Sequence, residues 1–117
     1  MEMNKNYAGL ETENLASTYL INHGLKLAAQ NYHCKYGEID LIMKDAKTLV
    51  FTEVRIICNS QFGSTGTSIT PKKQQKLILV SQNYLQQHRD GLRRFDSILK
   101  NKTDTNHIEW VHNAFDT

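Results

Sequence analysis

The sequence predicts an α/β domain in which a central mixed five-stranded sheet is flanked by two helices, in the order αβββαββ. Three observations carry that expectation. Apolar residues recur at helical spacing over residues 7–23. Two apolar runs, GEIDLI and LVFTEV, are joined by a short polar turn. A Thr-Pro pair opens a second helical stretch at residue 70, and two further apolar runs close the chain.

In the first helix Leu15, Ala16, Tyr19 and Leu20 mark the apolar spacing, and Gly24 supplies the stop. Leu25 to Cys34 reads as a strand with imperfect alternation. Residues 38–43 and 48–56 then form a hairpin across KDAK. NSQFGSTGTSIT, residues 59–70, is a Gly/Ser/Thr-rich loop. Thr70 can cap a helix whose first position suits Pro71. That helix runs to about His88 and buries Leu77, Val80 and Tyr84, with Ile78 and Leu85 beside them. RFDSIL and HIEWVHNAF complete the sheet, and Tyr19, Tyr84, Phe95 and Trp110 read as core.

With 117 residues, the chain is long enough for one core and too short for two, so residues 1–117 are expected to be one domain with its core over about 7–116. No run approaches the roughly 20 apolar residues of a membrane span. The acidic, polar start MEMNKNYAGLETEN is unlike a secretory signal, and Cys34 and Cys58 cannot make a disulfide framework. A cytoplasmic protein with reduced thiols and no membrane partner is the economical expectation. His23, His33, His88, His107 and His112 show no paired spacing of the kind that zinc sites use.

The net charge of +2 is unevenly spread. Residues 70–100 hold seven bases (Lys72, Lys73, Lys76, Arg89, Arg93, Arg94 and Lys100) against two acids, Asp90 and Asp96. A basic segment of that kind suits a polyanion and equally suits a solvated helix face. Lys72, Lys73 and Lys76 open the second helix and could grip a phosphate backbone there, helped by the free amides of the first turn. Basic residues are poorly matched to the positive end of a helix, which favours a functional reason. Arg94 and Asp96 flank Phe95 and are expected to pair structurally. Gln61, Phe62 and Gly63 belong to the loop expected to border the site.

The acids of the hairpin are the sharpest signal. Residues two apart in a strand share a face, so Glu38 pairs with Asp40 and Glu53 with Arg55. If the turn sets Lys44 opposite Leu49, Asp40 lies across from Glu53 and Glu38 from Arg55. Two carboxylates side by side repel unless a cation joins them, and Mg²⁺ favours one or two carboxylates plus water and phosphate. Glu13 shares a helical face with Ala16 and Leu20, where a carboxylate needs a partner: the same cation, or a lysine at the margin. Arg55 could stabilise charge on a pentacoordinate phosphate, but it cannot give up its proton. A Glu38–Arg55 ion pair holding the hairpin is the plainer alternative.

An acid on a helix, GEID on a strand and E-x-R on the next resemble the core of the PD-(D/E)XK nucleases. Further pieces extend the likeness: Gly9, Glu13, Ala16, Tyr19 and Leu20 as G-x3-E-x2-A-x2-YL, then HGL, QN, GEIDLI, LVFTEVR, FG, the Pro-Lys-Lys helix, RFD and NAF. In that order, over roughly residues 7 to 116, they resemble the YraN family of bacterial proteins, related to Holliday-junction resolvases. The resemblance implies a restriction-endonuclease-like fold and metal-assisted hydrolysis of phosphodiesters. It further implies Glu13, Asp40 and Glu53 as ligands of Mg²⁺ or Mn²⁺, and Glu38 as an accessory. Arg55 stands where that family's catalytic lysine usually stands, and Lys73 is the base most directly matched. The partner implied is nucleic acid, DNA in preference to RNA, branched or single-stranded. A homodimer would suit a junction resolvase, though no interface signature argues for one. A non-catalytic nucleic-acid-binding module that keeps the fold, or a scaffold whose acids pair with bases, are the other readings.

Overall fold

The computed structural model describes residues 7–58, 68–88, 91–104 and 106–116. Seven elements follow in order: α1 Tyr7–Asn22, β1 Lys26–Cys34, β2 Gly37–Asp45, β3 Thr48–Ile57, α2 Pro71–His88, β4 Leu92–Asn101 and β5 Ile108–Val111. The five strands lie in sequence order in one sheet. Only β3 and β4 run parallel, because α2 carries the chain between them; the other neighbours are antiparallel. No helix among the described residues is long and apolar enough to cross a membrane.

Local chemistry sets the helix ends. Gly24 adopts φ 99°, which a β-carbon would resist, while Gly24 N–H donates to Ile21 O and Leu25 N–H to Leu20 O. This is a Schellman turn, and its apolar contact is supplied by Leu20 and Leu25, both buried in one cluster. At the other helix Thr70 Oγ1 accepts from Lys73 N–H at 3.3 Å and Pro71 occupies the first turn, as its sequence predicts.

The sheet separates two apolar clusters. On the α2 side lie Ile42, Leu49, Phe51, Leu77, Val80, Tyr84 and Phe95; on the α1 side lie Ala16, Leu20, Leu41, Met43, Val50 and Ile98. Full burial of each large aliphatic side chain contributes about 1.5–3 kcal/mol. Tyr84 and Phe95 are core as expected, whereas Tyr19 and Trp110 pack at the margin of the α1-side cluster.

Two local expectations are corrected and a third is explained. Leu15 is 40% exposed; the buried stripe of α1 runs instead through Thr12, Glu13, Ala16, Ser17 and Leu20, which the 3.6-residue repeat brings together. HIEWVHNAF is strand only over Ile108–Val111. Beyond it Asn113 turns left-handed at φ 51°, its N–H donates to Asp96 Oδ1, and Ala114 N–H donates to Phe95 O. The third is in β1, where the imperfect alternation has a physical cause: a register shift between Leu27 and Ala29, and Asn31 at φ 55°.

Candidate functional site

The β2–β3 hairpin turns through Ala46 and Lys47, with Ala46 at φ 55°, and sets Lys44 opposite Leu49. Counting onward, Asp40 would face Glu53, but the paired register ends one step earlier, at Leu41 and Thr52. In a two-residue hairpin the closing pair exchanges both backbone hydrogen bonds, and such pairs recur at every second residue. Val54 would next have met Ile39. Its N–H instead donates to Asp40 Oδ2 at 2.8 Å. A carboxylate has taken over from the neighbouring strand, and the seam between β2 and β3 opens at that point.

The side-chain phase of β2 shows how Asp40 reaches this position. Leu41 and Met43 belong to the α1-side cluster and Ile42 to the α2-side cluster, as alternation requires. Ile39 should then join Leu41, yet it packs on the α2 side, as does its partner Tyr32. The phase slips by one residue at Asp40, opposite the left-handed Asn31. The slip turns Asp40 towards the backbone of β3 instead of squarely to either face.

Glu53 follows the ordinary alternation of β3, where Leu49 and Phe51 face α2. Its side chain is only 8% exposed, and Oε2 lies 2.9 Å from Lys73 Nζ, which reaches down from the first turn of α2. Glu53 Oε1 is buried and has no hydrogen-bond partner among the described residues. Arg55, two residues further on, shares that face by alternation, is half-buried and stands in register with Leu99. Asp40 and Glu53 are therefore brought to one end of one seam, with the Asp40 carboxylate bonded to the amide next after Glu53. Glu13 is 4% exposed on the buried stripe of α1 and approaches from the opposite face of the sheet. Among the described residues no three His, Cys, Asp or Glu side chains converge into a group able to hold a metal ion as they stand.

Glu38 lies outside this seam. It is exposed and pairs across to β1, with Oε1 3.5 Å from His33 Nδ1. Together with Cys34, Gly37, Leu77, Lys73 and Lys76, these two residues line a cavity of about 440 Å³. Lys73 thus touches both the buried glutamate and this cavity. Lys76 adds a second cation to its wall, and Lys72 is exposed outside it. Next to the cavity, Tyr32 donates its hydroxyl to Asn83 Oδ1. Burial, then the neighbouring Cys34, raises the Tyr32 phenol above its ordinary pKa of 10.0. Gln61, Phe62 and Gly63 lie outside the described residues.

Arg94 and Asp96 pair as the sequence suggests, Arg94 Nε and Nη2 each donating to the Asp96 carboxylate at 3.0 Å. Trp110 Nε1 and Asn113 N–H donate to the same group at 2.8 and 2.9 Å. The hydrogen bond to Asp96 is the chief reason that the Arg94 pKa is raised. Sequence reasoning missed two features of the site: the Lys73–Glu53 contact and the slip at Asp40. Asn in the middle of a strand, the residue most tolerant of left-handed backbone after glycine, was the available signal for the slip. Nothing local to Lys73 marks its partner, which is twenty residues earlier in the chain.

The element order, the mixed sheet and the placement of acids on β2 and β3 define a restriction-endonuclease-like α/β protein. Comparison with known proteins takes this a step further. Residues 12–99 match the profile of the Uncharacterised protein family UPF0102, the YraN family. A UPF0102 protein of Methylobacillus flagellatus is 48% identical over 107 residues, covering 92% of this chain and 95% of that one. Relatives of the same name from Nitrosospira multiformis and Saccharophagus degradans are 45% and 42% identical, over 92% and 94% of this chain and 92% and 93% of theirs. The chain belongs to the UPF0102 family.

Proposed function

We propose that this protein is a metal-dependent endonuclease that hydrolyses phosphodiester bonds of nucleic acid, DNA in preference to RNA. The observation that carries the reading is the state of Glu53: a buried carboxylate with one oxygen on a lysine and the other on no donor among the described residues, beside Asp40. An interior carboxylate oxygen without a donor is costly, and a hard cation relieves that cost. The donor set is all carboxylate oxygen, which suits Mg²⁺ or Mn²⁺. Asp40 and Glu53 would hold the ion, and Glu13, which comes from the other face of the sheet, would join them only through the gap where the β2–β3 pairing ends. When bound, it would polarise the phosphate and acidify its water.

The chain's own residues supply the rest. Arg55 stays charged at any working pH and serves as a fixed donor to the phosphate oxygens, not as a base. Lys73 is 54% exposed, so its ammonium could turn from Glu53 to a phosphate where a cation relieves the buried carboxylate. With Lys76 on the cavity wall, and Lys72 on the adjoining surface, it would track the backbone of the substrate. Glu38, tied to His33, borders that path as an accessory group. Cytoplasmic location belongs to the same proposal, and Cys34 and Cys58, not joined in a disulfide, suit a reducing compartment.

The test is cleavage of a panel of branched, single-stranded and duplex DNA and of RNA, with Mg²⁺ and with Mn²⁺. Cutting should require the ion and vanish in Glu53→Gln. No cleavage of any substrate with either ion would refute it. A second reading, a binding module without catalysis, is favoured by Arg55 in the place usually given to lysine. It predicts salt-sensitive binding that a chelator leaves unchanged.

A further inference from the structure

β3 and β4 are neighbours in parallel, and their register sets Glu53 beside Ser97, two residues beyond the Phe51–Phe95 pair. Those two phenylalanines lie on the α2 side with ring centroids 5.8 Å apart, so alternation sends Glu53 and Ser97 to the same side. Ser97 is 2% exposed and Glu53 6%. Ser97 Oγ and Glu53 Oε1 are both buried, and neither has a hydrogen-bond partner among the described residues. Two such atoms on adjacent paired residues are a strong coincidence, since most buried polar side-chain atoms are satisfied. Their chemistry is complementary: a hydroxyl donates and a carboxylate oxygen accepts. Neighbouring strands lie about 4.8 Å apart, a separation across which one water molecule can join two side chains.

We propose that Ser97 is a positioning residue for Glu53, its hydroxyl bonded to Glu53 Oε1 through one shared buried water. Lys73 holds Oε2 from the α2 side and Ser97 holds Oε1 from β4, so the carboxylate plane is fixed between them. Ser97 touches neither substrate nor reacting atoms; it acts through the orientation of Glu53. The contact deepens the nuclease reading, because it concerns that site's central carboxylate, but it exists whether or not the protein cleaves anything.

The experiment is a double-mutant cycle on the full chain, read by urea unfolding, with Ser97→Ala and Glu53→Met, the latter close in size and without a carboxylate acceptor. Ser97→Ala should lower the folded-to-unfolded ratio by about 5-fold in the wild-type background and leave it unchanged in the Glu53→Met background. Equal effects in both backgrounds, or a gain in stability from Ser97→Ala alone, would overturn the link. The second readout is calorimetric titration with Mn²⁺. Loss of an orienting partner should weaken uptake about 10-fold in Ser97→Ala, and Ser97→Thr should restore it. Wild-type uptake retained in Ser97→Ala refutes the positioning role. If the wild type takes up no Mn²⁺ while the cycle shows coupling, the metal site fails and the Ser97–Glu53 link stands.

Discussion

Glu53→Gln and Asp96→Asn alter two buried carboxylates on neighbouring strands, and the structure assigns them opposite consequences. Asp96 has no exposed side-chain surface and accepts from Arg94 twice, from Trp110 and from Asn113. Removing its charge leaves Arg94, 19% exposed, without its main partner. Breaking a buried pair of this kind costs about 3–5 kcal/mol. Glu53 has one ion pair to a half-exposed lysine, worth about 0–1 kcal/mol. Against it stands the desolvation of a carboxylate charge that is only 8% exposed, costing about 1–3 kcal/mol. The isosteric amide should therefore leave stability unchanged or raise it by about 1 kcal/mol. A change of 1 kcal/mol moves Tm by about 4 °C in a chain of this length. Thermal unfolding by circular dichroism should show Asp96→Asn melting about 12–20 °C below wild type and Glu53→Gln at or above it. If Glu53→Gln falls as far as Asp96→Asn, Glu53 is part of the framework and its buried charge does not carry the cost assigned to it.

Ala46→Gly should stabilise the protein by about 1 kcal/mol, because the left-handed φ of 55° penalises a β-carbon; denaturant midpoints at unchanged slope check it. At high pH the raised Tyr32 phenol gives a signed expectation. Its proton is kept in the native state while the unfolded chain loses it, so stability is undiminished below pH 10 and falls as pH rises through the native value. Tyr32→Phe should flatten that alkaline decline in urea unfolding followed from about pH 9 to 11. Lys73→Gln with Lys76→Gln should weaken nucleic-acid binding and reduce the slope of log K against log salt by about 0.7–0.9 per lysine. Fluorescence anisotropy at several salt concentrations measures both, and an unchanged slope would remove these lysines from the interface.

The elements were legible in the sequence wherever local chemistry decides. Thr70 and Pro71 mark the start of α2, Gly24 marks the end of α1, and the KDAK turn fixes the register that places Lys44 opposite Leu49. Family membership was legible for the same reason, since its motifs are short and local. What was not legible depends on distant partners. Alternation alone extends the ladder to Asp40 and Glu53, and it takes the kink at Asn31 to show why pairing stops short. The closing segment looked like strand because HIEWVHNAF is apolar, but Asp96, fixed by Arg94, captures the Asn113 amide and turns it away. Glu13 sits on the apolar stripe of α1 as its spacing indicates. Spacing alone did not show that α1 and Glu53 occupy opposite faces of the sheet.

The bond from Val54 to Asp40 constrains how this aspartate can be interrogated. Truncating it to alanine would strip a main-chain amide of its acceptor as well as deleting a charge, so any lost activity would mix frayed backbone with missing chemistry. Asparagine keeps an oxygen for that amide and changes only the charge. At position 40 it is the conservative amide, and not alanine, that separates architecture from reactivity.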